Sequence, residues 1–280
     1  WTLGPDVEGR NATHQIKELT NKQLMLLRSR LHLEDVIPEE SLQGDSVPPY
    51  YRPEPGSPEY EYLMERRRQL GGFLPSRSTQ VRSKLTLPGP EPFQEIYAGS
   101  GKVEASTTTA FVRLLRNLAR HEEFGPRVVP IVPDEARTFG MDSLFRELGI
   151  YASQGQLYEP VDHAMLLSYH ESKDGQILEE GITEAGSAAS WIAAATSYAT
   201  RGIPMVPFYI FYSMFGFQRT GDLFWAAADA RARGFLLGGT AGRTTLQGEG
   251  LQHQDGHSHL LFSVVAVSLN YDPPFGCQVR

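Results

Sequence analysis

From residue 107 onward the chain alternates amphipathic helical segments with short runs that are apolar at every position, and that alternation constrains the fold more than any other feature. Thr107 to Arg120 carries Phe111, Leu114, Leu115 and Leu118 at the i, i+3, i+4, i+7 spacing of one helix face. RVVPIV (127 to 132) follows as a β-branched run, then a helix over 142 to 148. An Ala-rich helix is predicted at 186 to 198 (GSAASWIAAATSY), a strand at 204 to 211 (PMVPFYIF), a helix at 222 to 233, and strands at 234 to 237 and 260 to 267. A strand with no polar alternation has no face to give to water. Helices between such strands must therefore cover both faces of a parallel sheet, which makes the fold class α/β.

The first part of the chain reads differently. Residues 1 to 17 are polar and loop-like. Thr20 with Gln23 three residues later is a capping-box signature, and Leu24, Leu27 and Leu31 continue it at helical spacing. A Pro-rich stretch over 38 to 58 follows. Ser57, Pro58 and Glu59 then open a second helix that stops at Gly71 and Gly72. Ser, Pro and Gly dominate from 75 to about 100, which places a domain boundary near 85: a mainly helical segment at 1 to 85 and the α/β domain at 86 to 280.

The chain has 280 residues and 40% hydrophobic content, enough for a sizeable core. Its 26 basic and 33 acidic residues give a net charge of −7. That balance argues against nucleic acid or an anionic membrane as the main partner, because both need a basic face. No run approaches the length of a membrane-spanning helix, and no signal peptide opens the chain. A single cysteine, Cys277, excludes an internal disulfide framework and fits a cytoplasmic location. The start on Trp1, within a loop-like stretch, marks the chain as a fragment.

In a parallel sheet the ligand sits beyond the carboxyl ends of the strands. Three stretches rich in chemistry fall there: Asp134 and Glu135, Tyr212 to Arg219, and the loop Gly238 to His259 with its six glycines and three histidines. His253, His257 and His259 have the spacing H-x3-H-x-H, but a glycine-containing loop orients zinc ligands poorly without a scaffold, so no metal site is expected. The GxxxxGK[ST] order of a phosphate loop is not met, and no G-x-S-x-G elbow occurs. Glu179, Glu180 and Glu184 precede the Ala-rich helix, where carboxylates usually act as solvated caps. Tyr212, Phe215 and Phe217 are, by residue type, more often core than cofactor platform. Singly, each signal is weak.

Together, four motifs carry a resemblance. DEARTFGMDSLFRELGIY (134 to 151), ILEEGITEAGSAASWIAAATSY (177 to 198), PFYIFYSMFGFQRTGDLFWAA (207 to 227) and GRTTLQGEGLQHQDGHSH (242 to 259) are similar to the homodimeric bacterial pyruvate dehydrogenases, the decarboxylating first component of that complex. The resemblance extends from Gly9 to about Pro273 and implies a thiamine diphosphate-binding fold. It assigns Glu184 to the carboxyl that hydrogen-bonds a ring nitrogen of the aminopyrimidine. It sets Phe215 against that ring, with Tyr212 and Ile182 beside it, and Asp134 and Glu135 near the reacting carbon. His253 becomes an active-site histidine directed at substrate. His14 and Lys17 fall in an inner mobile loop, residues 154 to 170 in an outer one, and Arg219 in a substrate-side role.

The same resemblance implies what lies outside these residues. The family binds diphosphate and magnesium through a GDG motif followed by Asn, and no GDG occurs in this chain. By that reading, residues 1 to 85 are the tail of the diphosphate-binding domain and 86 to 280 an incomplete pyrimidine-binding domain. The Mg2+ ligands are then expected upstream, and the sequence from Phe275 to Arg280 drifts from the family pattern. The implied partners are a second subunit, pyruvate, and dihydrolipoyl acetyltransferase with its lipoyl domains. The alternatives are another thiamine diphosphate enzyme, of the transketolase or 2-oxo acid dehydrogenase type, and a non-catalytic dimerisation or docking module.

Overall fold

The computed structural model describes residues 4, 7 to 44, 46 to 73, 80 to 134, 136 to 161, 163, 164, 169 to 239 and 251 to 279. The chain divides into two compact units, Trp1–Leu74 and Pro75–Arg280. The division lies ahead of residue 85 because the stretch just before that position is already tied into the second unit. The N–H groups of Arg82 and Ser83 donate to the carbonyl of Gly202 at 2.9 and 3.2 Å. Arg127 Nη2 donates to Ser83 Oγ at 2.6 Å.

Among the described residues the first unit holds two α-helices, α1 (Asn21–Arg30) and α2 (Pro58–Gln69). Both begin as the sequence predicts. Thr20 and Gln23 form a reciprocal capping box, and the Ser57 side chain accepts from the Tyr60 N–H with Pro58 in the first turn. Arg28 braces the turn after α1, donating through Nε to the carbonyl of Ile37 at 2.6 Å and through Nη2 to that of Glu34 at 2.9 Å.

In the second unit the helices are α3 (Gln94–Ala98), α4 (Thr107–Ala119), α5 (Asp142–Leu148), α6 (Glu184–Ala195), α7 (Ser197–Thr200), α8 (Gly216–Asp229) and α9 (Ser258–Phe262). The strands are β1 (Val128–Val132), β2 (Ile150–Tyr151), β3 (Glu171–Ser172), β4 (Leu178–Glu179), β5 (Val206–Tyr212) and β6 (Phe235–Gly239). The main sheet has the order β4-β1-β5-β6 and every pairing in it is parallel. β2 and β3 form a separate parallel pair.

Side chains alternate across the sheet as the two-residue strand period demands. Val128, Val132, Phe208 and Ile210 face one core, closed by Phe111, Leu114, Leu115 and Leu118 of α4 and by Leu144 and Phe145 of α5. Val129, Ile131, Tyr209 and Phe211 face the other, closed by Ala188, Trp191 and Ala195 of α6 and by Phe224 and Ala227 of α8. The predicted sheet covered on both faces is therefore present. The alanines of α6 let it lie close to the strands while Trp191 fills the remaining volume against Phe224, edge-on at 6.2 Å.

One predicted strand is a correction. Residues 260 to 267 contain a helix end and turns, with α9 covering Ser258–Phe262. The run is apolar enough for a strand, yet its N–H groups bond locally: Leu261 to the His257 carbonyl, Ser263 to that of His259 and Val265 to that of Phe262. Leu260, Val264 and Val267 are exposed, so burial does not pull the segment into the sheet. β4 is the converse case, a two-residue strand too short to announce itself in the sequence. Among the described residues no helix is long and apolar enough to cross a membrane.

Leu115 is fully buried under the sheet. Leu115→Ala should lower unfolding stability by about 2–5 kcal/mol, read from urea denaturation. A gentler, pH-dependent effect is expected at Glu147, whose carboxylate bridges Arg116 and Arg120. The hydrogen bond from Arg116, aided by Arg120, holds its carboxyl below the ordinary value against the opposing effect of burial. A depressed folded-state pKa contributes stability above the unfolded value and loses it as pH falls through the folded one. Glu147→Gln should therefore be slightly destabilising at pH 7, and the gap from the parent chain should close in acid. Melting curves at both pH values check this.

Candidate active site

Because the strands run parallel, their carboxyl ends meet along one edge. Val132 of β1 is in register with Glu179 of β4, and Tyr212 of β5 with Gly239 of β6. The segments leaving these ends carry the polar and aromatic groups. Glu180 continues the β4 pairing, its N–H donating to the Val132 carbonyl at 3.0 Å, and its carboxylate accepts from Ser190 Oγ of α6. Asp134, just past β1, is exposed.

Glu184 opens α6. Thr183 caps that helix by accepting from the Gly186 N–H, and Tyr209 Oη donates to the Glu184 carbonyl at 3.3 Å. The Glu184 residue is only 6% exposed. It lies in the first turn of α6, and Arg219 Nη1 is 2.6 Å from its Oε1. The Arg219 guanidinium also sits 4.0 Å above the ring centre of Phe215, whose backbone forms the cap of α8. One arginine thus joins a buried acid to an aromatic face.

A ring wall continues from Phe215. Tyr212 meets Phe215 edge-on at 6.1 Å, and His253 packs on both, at 4.5 Å from Tyr212 and 5.4 Å from Phe215. Behind them Phe139 lies 5.5 Å from Tyr212. It reaches that place because Gly239 lacks a side chain; a Cβ there would lie 2.3 Å from Phe139 Cε1. Ile182, just before α6, is 76% exposed, an apolar side chain held out at the same edge. One deep carboxylate, an arginine and three rings in mutual contact thus stand together at the carboxyl ends of the strands.

Residues 90–280 match the family described as the pyruvate dehydrogenase E1 component middle domain. The chain belongs to the pyruvate dehydrogenase E1 component family. It is 55% identical to the pyruvate dehydrogenase E1 component of Pseudomonas aeruginosa over 97% of this chain and 30% of that protein. It is also 55% identical to the E1 component of Mycobacterium tuberculosis, over 100% of this chain and 30% of the relative. The E1 component of Escherichia coli K12 is 48% identical over 100% of this chain and 31% of its own length. The chain therefore spans about a third of the length of these E1 relatives.

Of the site residues predicted from sequence, Glu184, Arg219, Phe215, Tyr212 and His253 come together in this E1 middle-domain unit, with Ile182 and Asp134 along the same edge. Glu135 lies outside the described residues. His14 falls in a 3-10 turn, Asn11–Gln15, with its side chain outside the described set, and Lys17 is exposed; both belong to the first unit. Among the described residues no group of three or more His, Cys, Asp or Glu side chains is arranged to hold a metal ion.

Sequence reasoning missed three contributors. Phe139 reads as an ordinary helix-preceding aromatic, and only the Gly239 register shows why it backs the wall. Asp255, buried beneath the histidine loop, gave no sequence signal beyond an Asp standing before Gly-His-Ser, a pattern that fits a helix cap. Ser213, at the turn after β5, is the anchor for that loop. Gly239→Ala is expected to displace Phe139 and destabilise the chain by about 1–3 kcal/mol, measurable by thermal and urea unfolding.

Proposed function

We propose that this chain is the pyrimidine-binding part of an enzyme that decarboxylates pyruvate on thiamine diphosphate and transfers the acetyl group to the lipoyl arm of dihydrolipoyl acetyltransferase. The observation that carries the reading is the buried carboxylate of Glu184 joined through Arg219 to the ring of Phe215. An acid held in the first turn of a helix can share a proton with a ring nitrogen, and an adjacent aromatic face can stack on that ring. Family membership, with relatives named as pyruvate dehydrogenase E1 components, supports the same reading.

When bound, thiamine diphosphate supplies the carbon nucleophile and electron sink for the loss of carbon dioxide. The protein's share is positioning and proton transfer. Glu184 hydrogen-bonds the pyrimidine ring nitrogen, Phe215 and Tyr212 bound the ring, and Ile182 offers an apolar support. Asp134 and Glu135 would serve the reacting carbon, and His253 would hold the substrate carboxylate or move a proton. Arg219 completes the substrate side. His14 and Lys17 serve transfer to lipoyl, and 154 to 170 forms the outer loop. Magnesium and diphosphate are held by residues other than these 280. The first unit is the end of the diphosphate-binding domain, the second the pyrimidine-binding domain, and the assembly is a cytoplasmic homodimer.

In the longer protein, Glu184→Gln should slow hydrogen–deuterium exchange at the thiazolium carbon by about a hundredfold or more, read by quenched-flow NMR. Exchange at the parent rate would remove Glu184 from its role. The 280-residue chain alone, given magnesium and cofactor, should not turn over pyruvate.

A further inference from the structure

We infer that Asp255 is the positioning residue for His253, fixing that imidazole against Tyr212 and Phe215 by anchoring the histidine loop to the end of β5. The inference rests on the role proposed for His253. Contact with two rings sets how closely the imidazole packs, but aromatic faces permit rotation and sliding. A catalytic imidazole needs a fixed position as well. His253 closes a short 3-10 turn, Leu251–His253, and two residues later Asp255 turns inward.

The Asp255 side chain is 5% exposed, and its Oδ1 accepts from the N–H groups of His257 and Ser258 at 3.0 and 3.1 Å. Ser258 Oγ in turn donates to the carbonyl of Ser213 at 2.9 Å. Ser213 follows Tyr212 directly, and its N–H donates to the Gly239 carbonyl at 3.2 Å. The loop bearing His253 and the strand end bearing its ring partner are thus fastened through Asp255, Ser258 and Ser213. Among the described residues His257 is the titratable neighbour, its Nδ1 4.0 Å from Asp255 Oδ1 and its Nε2 3.4 Å from Gln218 Nε2. Burial pushes the Asp255 carboxyl up, and hydrogen bonds led by Ser258 and the His257 N–H outweigh it and leave the group below its ordinary value. The carboxylate therefore stays a strong acceptor at neutral pH.

The test reads His253 directly. In the histidine-labelled 280-residue chain, the ring protons of His253 should be shifted upfield by the Tyr212 and Phe215 rings. Asp255→Ala should return them toward free-histidine positions, and Asp255→Asn, which keeps one acceptor oxygen, should retain most of the shift. Where Asp255→Ala does not fold, Asp255→Glu takes its place, because it keeps the charge and moves the carboxylate by one methylene. Unchanged His253 signals in a folded Asp255→Ala or Asp255→Glu chain would overturn the inference. In the longer protein, Asp255→Ala should lower kcat/KM for pyruvate by about tenfold to a hundredfold. The double variant with His253→Ala should be no worse than His253→Ala alone. Losses that multiply in full would show Asp255 acting elsewhere. If His253→Ala leaves turnover intact, the role proposed for His253 fails, while the ring signals still decide the role of Asp255.

Discussion

β5 is paired on both edges and buried on both faces, and the second unit depends on that double constraint. Its backbone bonds to β1 on one side and β6 on the other. Its side chains enter two separate cores in strict alternation. A one-residue slip would exchange the two sets and drive Tyr209 and Phe211 into the space shaped for Phe208 and Ile210. The register is therefore held by packing as well as by hydrogen bonds, and it brings Tyr212 level with Gly239. Tyr209 adds a further tie, its hydroxyl reaching the main chain of Glu184 and fixing the start of α6 to the same strand.

The parallel sheet was legible because its physical cause is local and repetitive. Continuously apolar runs of four to eight residues cannot be half-solvated, and the helical spacing of Phe111, Leu114, Leu115 and Leu118 leaves one interpretation for α4. The capped helix starts at Thr20 and Ser57 were legible for the same reason, since a cap is a contact between residues three apart. The 260 to 267 run misled because apolarity shows what a segment could bury and says nothing about whether a neighbour is there to cover it. The two-residue β4 exists only through its pairing with β1, so no periodicity could reveal it.

The site divides along the same line. Glu184 at a helix entry and the aromatics after β5 could be placed at the strand ends by topology alone, but residue type favoured solvated caps and core rings. Their shared contact with Arg219 joins positions thirty-five residues apart and depends on how α6 and α8 cross the sheet. The glycine and histidine loop first suggests a metal or a phosphate. In the fold His253 packs on two rings, and Asp255, two residues on, accepts from the N–H groups of His257 and Ser258.

The alternation along β5 has a consequence for how this segment can change. Phe211 and Tyr212 are neighbours in the chain, yet one is sealed in the core against α6 and α8 and the other stands in the ring wall. Even and odd positions near the strand's end thus answer to different demands, one set to the solidity of the scaffold and the other to whatever lies against its edge. A scaffold organised in this way can exchange its chemistry at the last position of the strand while the residues before it stay fixed.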